Sequence, residues 1–477
     1  VEEERVAAVK KVLIGLLVVV LVLVALLIGL LVFFNIPSNA AGMAAKAVCS
    51  AAFVAGREPD ADALMADDVL PASPALGVVS TTIDTEQLTA TSKFLGIISR
   101  TASLTADRGC VLDLPADPGA QPYAPPPADP AAWPQGDGTS EAGDDNAELQ
   151  HVIDAAFVGA GDVAAANPRA VAVVQDGELL ALREGQGFAN AALHGWSMTK
   201  TVGAMLAYDV FRRQGLDLQT PVVDAFARYP DRTPQWVAGW REDERRDITI
   251  ADLVFMRAGL GFDEGYEPWS DTVQMLYGEG NMAQWAADHP ADAPAGQEWE
   301  YLSGVSNILA DVLRGQFPND DAYWAQVRTR ILDPLEADSA TLETDTNGTQ
   351  VASSYLWASA ADWAKLGQLL LDDGRWQGQQ VLAPGFLELA GQQAVQEGEG
   401  AGYSAQAWLP GNPVGGECRD VDGVPPDVVS MEGHWGQIVA AVPSRDVVIV
   451  RLGWTFTSGA FDSCGLIRDV LAALPQS

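Results

Sequence analysis

Apolar and polar positions follow three different rhythms along this chain, and each predicts a different element. Residues 12–36, VLIGLLVVVLVLVALLIGLLVFFNI, form an uncharged run. About 20 apolar residues suffice for a helix across a bilayer, so the run predicts one transmembrane helix. Residues 44–55 and 91–103 mix apolar and polar groups at loose helical spacing, which predicts helices in a small module over residues 37–112. Residues 113–146 are rich in Pro, Gly, Ala and Asp and include Pro125-Pro126-Pro127. Such a composition builds no core of its own and predicts an extended linker.

From residue 147 the rhythm changes again. A helix is expected around 147–157. Ala170-Val171-Ala172-Val173-Val174 and Leu179-Leu180-Ala181-Leu182 flank Asp176-Gly177, the signature of a β-hairpin. Near the other end, apolar runs over 437–442 and 447–452 bracket Pro443-Ser444-Arg445-Asp446, a second hairpin. The apolar positions over 202–211 fit a buried helix leading away from Ser197. Strands at both ends with mostly helical sequence between them predict an α+β domain over 147–477, one antiparallel sheet with a helical insert.

Charge and cysteines bear on the address. Lys10-Lys11 before the apolar run hold residues 1–11 on the cytoplasmic side, which puts everything after residue 36 outside. The expectation is a single-pass protein of the cell membrane with a periplasmic body. The run exceeds the roughly 7–15 apolar residues of a cleavable signal, although Ser38-Asn39-Ala40 keeps cleavage open as the alternative. Four widely spaced cysteines, Cys49, Cys110, Cys418 and Cys464, read as disulfides in an exported chain. Three pairings are possible, and Cys49–Cys110 with Cys418–Cys464 keeps each bridge within one segment. A net charge of −36, from 64 acidic and 28 basic residues, argues against nucleic acid as a partner. It argues equally against anionic lipid headgroups beyond the span itself. The four histidines are scattered without metal-ligand spacing and no P-loop occurs, so neither a metal nor a nucleotide cofactor is expected.

The candidate chemistry begins at Trp196-Ser197-Met198-Thr199-Lys200-Thr201, the one Ser-x-x-Lys of the chain, at the start of a helical stretch. Three residues on a helix put hydroxyl and amine on one face, where the amine can take the hydroxyl proton. The helix N-terminus adds free N–H groups that can hold an oxyanion. Two more strings follow, Glu300-Tyr301-Leu302-Ser303 and Gly433-His434-Trp435-Gly436-Gln437.

Ser-x-x-Lys, then Tyr-x-Ser, then His-x-Gly, in this order and spacing, resembles the penicillin-recognising serine hydrolases: class C β-lactamases, D,D-peptidases, related esterases and 6-aminohexanoate-dimer hydrolases. The flanking strings Gly195-Trp196-Ser197-Met198-Thr199-Lys200, Ile248-Thr249-Ile250-Ala251-Asp252-Leu253 and Trp357-Ala358-Ser359-Ala360-Ala361-Asp362-Trp363 are similar to the last branch. The resemblance implies a β-lactamase/transpeptidase-like sheet flanked by helices, with a helical subdomain and the site between them. It implies Ser197 as nucleophile, Lys200 as its proton acceptor, Tyr301 as donor to the leaving group, and the N–H groups of Ser197 and Gln437 as oxyanion hole. Gly436 would let substrate approach the strand. Ser303 stands where class C β-lactamases carry asparagine and His434 where they carry lysine, so both would meet a different substrate. In Gly261-Phe262-Asp263-Glu264-Gly265-Tyr266, Asp263 and Tyr266 are expected to border the cleft. The expected function is hydrolysis of a small ester, linear amide or peptide-like substrate through an acyl-enzyme. The alternative is a penicillin-binding-type D,D-peptidase or β-lactamase, or a sensor that is acylated with little turnover.

Overall fold

The computed structural model describes residues 2–158, 166–394, 399–410, 418, 421–457 and 459–475. Helix α1 (Glu2–Phe33) takes up most of the N-terminal apolar run. The chain then breaks at Asn35, whose φ of 51° is left-handed, and α2 (Ile36–Cys49) begins with Pro37 in its first turn. The run is thus divided, and its last residue opens a helix whose Ala41, Ala44, Ala45 and Val48 are buried in the body of the protein. Among the described residues no helix is long and apolar enough to cross a membrane. This overturns the predicted transmembrane helix over residues 12–36, and with it the single-pass cell-membrane and periplasmic location built on that span.

Helix α2 packs on a four-stranded antiparallel meander, β1 (Val79–Asp84), β2 (Thr89–Phe94), β3 (Ile98–Thr105) and β4 (Gly109–Leu112). The helix expected over 91–103 is therefore two strands. Its Thr, Ser and Ile side chains suit a pleated surface, and Leu95 and Gly96, both with positive φ, turn the chain back. A disulfide between Cys49 and Cys110 joins α2 to β4. Residues 113–140 carry no helix and only an isolated bridge, but they are not a free linker. Trp133 is buried edge-on against Trp376 at 5.7 Å, and the Tyr123 hydroxyl donates to the Asn190 carbonyl at 2.9 Å.

Beyond α3 (Ala147–Val158), β5 (Pro168–Gln175) and β6 (Glu178–Glu184) form the first hairpin around Asp176 and Gly177, both left-handed. Helices α4 (Met198–Gln214), α5 (Ser303–Arg314) and α6 (Ala360–Leu371) follow, then strands β7 (Tyr403–Ser404), β8 (Ala407–Trp408), β9 (Val429–Gly433), β10 (Gln437–Val442) and β11 (Val447–Gly453), and α7 (Ser463–Ala473). The sheet order is β7-β8-β9-β10-β11-β5-β6, antiparallel throughout.

The strands read as unbroken apolar runs because both faces of the sheet are covered. Ala170, Ala172 and Val174 belong to the core that includes α6, while Val171 and Val173 pack with α3 and α7. Burying one such valine stabilises the fold by about 1.5–3 kcal/mol. Gly367 lets α6 lie close, since a Cβ there would sit 2.5 Å from Val448 Cγ1. Among the described residues, the regular structure between β6 and β9 is mostly helical, with α4 and α5 in contact and α4 running against β9. A second disulfide, Cys418–Cys464, reaches the first turn of α7.

Candidate active site

Ser197 sits at the N-cap of α4, where helix N–H groups lack intrahelical partners. The turn before it is strained, for Trp196 has φ 49° and a bulky residue rarely adopts the left-handed region. Two glycines make room for this turn. A Cβ on Gly195 would lie 2.2 Å from Trp363 Cζ2, and a Cβ on Gly433 would lie 2.2 Å from the Gly195 carbonyl oxygen. The turn before Ser197 therefore presses directly against the end of β9.

One helical turn on, the buried Lys200 Nζ lies 2.9 Å from Ser197 Oγ, 3.0 Å from Ser303 Oγ and 3.0 Å from the Ser353 carbonyl oxygen. Ser303 Oγ donates to Glu264 Oε1 at 2.6 Å, and Ser303 N–H donates to Glu264 Oε2 at 2.5 Å. With its proton directed at Glu264, Ser303 can only accept from Lys200, and the Ser353 carbonyl can only accept. A neutral Lys200 amine, holding two N–H bonds to these acceptors, turns its lone pair to the Ser197 hydroxyl. Burial lowers the Lys200 pKa to about 8, against the opposing pull of Glu264. Burial pushes Glu264 up in turn, while Lys200 and the hydrogen bonds from Ser303 and Thr272 resist.

Tyr301 and Tyr266 line the same cleft as Ser197, whose hydroxyl acts to lower the pKa of both phenols. Burial holds the Tyr301 pKa well above that of a free phenol, reinforced by Tyr403 and Glu264, so it is a phenol and not a phenolate. Its ring stacks on Trp408 at 5.2 Å, and Lys200 Nζ lies 4.8 Å from the ring centre. Tyr266 is 44% exposed and stacks on His434 at 4.2 Å. Packed among aromatic rings, His434 is lowered to about 4 by burial and is neutral at pH 7.

The opposite wall is the β9–β10 turn, in which Gly433 pairs with Gln437 and both Trp435 and Gly436 are left-handed (φ 62° and 81°). A Cβ at Gly436 would meet Arg451 Nη1 at 2.7 Å, and Arg451 donates to the Gly436 carbonyl at 2.7 Å. The Gln437 side chain is committed to the sheet, accepting from Gly453 N–H at 2.9 Å and donating to the His434 carbonyl at 3.1 Å. Only its main chain is left for the cleft.

These walls enclose a cleft of about 660 Å³ that contains Ser197, Tyr266, Tyr301, His434, Gly436 and Gln437. Lys200 and Ser303 lie directly behind Ser197. Asp263 stands apart, exposed, with its carboxylate accepting from Gly265 N–H at 2.9 Å. Sequence reasoning missed Glu264, the Ser353 carbonyl and Trp408. Glu264 lies in the acidic loop already singled out, but nothing in the string distinguishes the carboxylate turned inward from its neighbour. Among the described residues no cluster of three or more His, Cys, Asp or Glu could hold a metal ion.

A helix capped by Ser197 and set between an antiparallel sheet and a helical lobe is the architecture of the β-lactamase-like class. Residues 153–467, about two thirds of the chain, match the Beta-lactamase family, and the chain belongs to this family of serine hydrolases. A stretch of 167 residues is 30% identical to the 6-aminohexanoate-dimer hydrolase of Paenarthrobacter ureafaciens, covering 32% of this chain and 39% of that protein. The chain thus matches about two fifths of the length of that curated relative. The fold is similar to that of a family VIII carboxylesterase (TM-score 0.54, 14% identity, 70% of this chain and 98% of that one). It is similar also to a penicillin-binding protein homologue from Caulobacter crescentus (TM-score 0.52, 15% identity, 70% and 98%).

Proposed function

We propose that the protein hydrolyses an ester or linear amide of a small molecule through an acyl-enzyme on Ser197. The observation that carries the reading is the buried Lys200 amine, 2.9 Å from Ser197 Oγ with its pKa lowered to about 8. At pH 7 about one molecule in ten then holds a neutral amine ready to take a proton. Ser197 Oγ attacks the substrate carbonyl as its proton passes to Lys200 Nζ. The new oxyanion is held by the main-chain N–H groups of Ser197 and Gln437. Tyr301, kept as a phenol by burial, donates its proton to the departing alkoxide or amine and is reprotonated from Lys200. Water then repeats the sequence on the acyl ester. Glu264 balances the charge that forms on Lys200.

The same site favours esters and linear amides over penicillins. A penicillin brings a carboxylate, and His434 is neutral at pH 7, so it offers no charge to receive one. The 6-aminohexanoate-dimer hydrolase likeness supports a linear amide, and the carboxylesterase likeness in fold accords with an ester. An intact-mass time course with a p-nitrophenyl ester, a linear amide and benzylpenicillin tests this, with Ser197→Ala as blank. Transient acylation and release of acid from the ester is expected. An unmodified, inactive protein would overturn the reading. Stable acylation by penicillin alone would replace it with a penicillin-binding role.

A further inference from the structure

The family match begins at residue 153, yet two buried ion pairs tie residues far upstream to Arg169 and Glu343 inside it. We infer that α2 and the β1–β4 sheet, with the short helical segment 61–69 that carries Asp68, form a positioning element of the active site. Asp68 and Lys46 would act through a tryptophan cluster that fixes the two oxyanion donors. The inference rests on the hydrolase reading above and extends it to a part of the chain outside the family match.

The first connection starts at Asp68. Its carboxylate pairs with Arg169 of β5, both side chains nearly fully buried, and also accepts from Arg57 at 2.7 Å. The Arg169 guanidinium lies 4.4 Å over the ring of Trp454, and Trp454 Nε1 donates to the Asp68 carbonyl at 3.3 Å. Trp454 is therefore gripped from both sides. Its ring packs on Trp435 at 4.8 Å and on Trp196 at 5.8 Å, and those two meet each other at 5.3 Å. The next residue, Thr455, donates its N–H to the Trp435 carbonyl at 3.0 Å.

The second connection starts at Lys46, which pairs with Glu343. That carboxylate also accepts from Trp357 Nε1 and from Cys110 N–H, both at 2.8 Å. Trp357 stacks on His194 at 4.3 Å, and His194 packs on Trp196 at 4.2 Å. Both connections end on the same residue.

Trp196 immediately precedes Ser197, and Trp435 lies two residues before Gln437. Each holds a left-handed backbone that a bulky side chain adopts only when its surroundings over-determine it. The over-determining contacts here are Trp454, His194 and the ion pairs behind them. Loosening them lets both tryptophans relax and moves the N–H groups that must face the oxyanion. A displacement of about 1 Å is enough to cost on the order of a hundredfold in rate.

The test uses the full chain with Asp68→Asn, which keeps the shape and removes the charge that Arg169 needs. The kcat for a simple ester should fall by about 10- to 100-fold with KM changed less than about threefold, because a misplaced oxyanion hole acts on the transition state. Amide hydrogen exchange of segments 193–199 and 433–438 should accelerate. Trp454→Phe, a milder change that keeps an aromatic ring, should act in the same direction by several-fold. Leu104→Ala in the core of the β1–β4 module is the control for destabilisation alone, with kcat and exchange at both segments expected to stay native. Native kcat and exchange in Asp68→Asn and Trp454→Phe, or equal losses in Leu104→Ala, would overturn the inference. Absence of any turnover in the unmodified protein would remove the hydrolase reading, while the exchange comparison would still decide this one.

Discussion

Replacing Glu264 by Gln should move the pH dependence of acylation in a direction and by an amount the geometry sets. Lys200 Nζ lies 3.0 Å from Ser303 Oγ, and Ser303 Oγ lies 2.6 Å from Glu264 Oε1. Amine and carboxylate are therefore within about 6 Å, where opposite charges attract by roughly 3 kcal/mol at an effective dielectric of about 20. That attraction holds the amine protonated, and burial works the other way. In the proposed mechanism the reactive form is the neutral amine, so kcat/KM should rise with pH to a plateau, with a midpoint near 8. About one amine in a hundred is neutral at pH 6 and half at pH 8, a roughly 50-fold rise over that interval. Without the carboxylate the Lys200 pKa falls further, and the limb should move acidward by up to about two pH units. Stopped-flow acylation by a p-nitrophenyl ester from pH 5 to 10 measures both curves, with circular dichroism as the check on folding. A limb that stays in place in a folded Glu264→Gln protein refutes the coupling. A native limb still climbing beyond pH 10 would take the base role from Lys200 and give it to Tyr301.

Ser197→Ala should abolish fluorophosphonate labelling while leaving the fold intact, and label on another serine would end the assignment. Lys200→Ala and Tyr301→Phe should each slow acylation by about 10²–10⁴, as read by the same stopped-flow burst. Gly433→Ala should lower both kcat and the melting temperature, because its Cβ would strike the Gly195 carbonyl, a main-chain atom that cannot swing away. The kcat/KM for a short-chain ester should exceed that for benzylpenicillin by at least about 10², since a neutral His434 offers the carboxylate no charge.

The parts of this structure legible in the sequence are those governed by short-range rules. Both hairpins were readable because turn residues sat between apolar runs, and Ser197, Lys200, Tyr301 and Ser303 stood in short strings whose members the fold brings together. The strands over 91–103 were not, because Thr and Ser at mixed spacing fit either period, and burial against α2 decides between them. Glu264 was hidden for a different reason. Its importance comes from Ser303, 39 residues away, and no local pattern encodes which of two loop carboxylates turns inward. Residues 12–36 looked like one element, since composition alone does not register the left-handed Asn35 that divides them. The tryptophan cluster joins positions 196, 357, 435 and 454, whose proximity exists only in three dimensions.

The pairing of β11 with β5 sets a timetable for biosynthesis. Val447 lies opposite Gln175, so the first hairpin of the sheet waits some 270 residues for its neighbour. At about 5–20 residues per second, β5 leaves the ribosome roughly 15–55 s before β11 exists. During that interval its Ala170-Val171-Ala172-Val173-Val174 edge carries unpaired main-chain groups and two uncovered apolar faces, the kind of surface that recruits other chains. Contacts so distant in sequence also slow folding after release. The turn before Ser197, wedged between Trp363 and the end of β9, takes its final shape only once β9 arrives. A nascent chain truncated before residue 429 would hold Ser197 and Lys200 on one helix and still lack a working site.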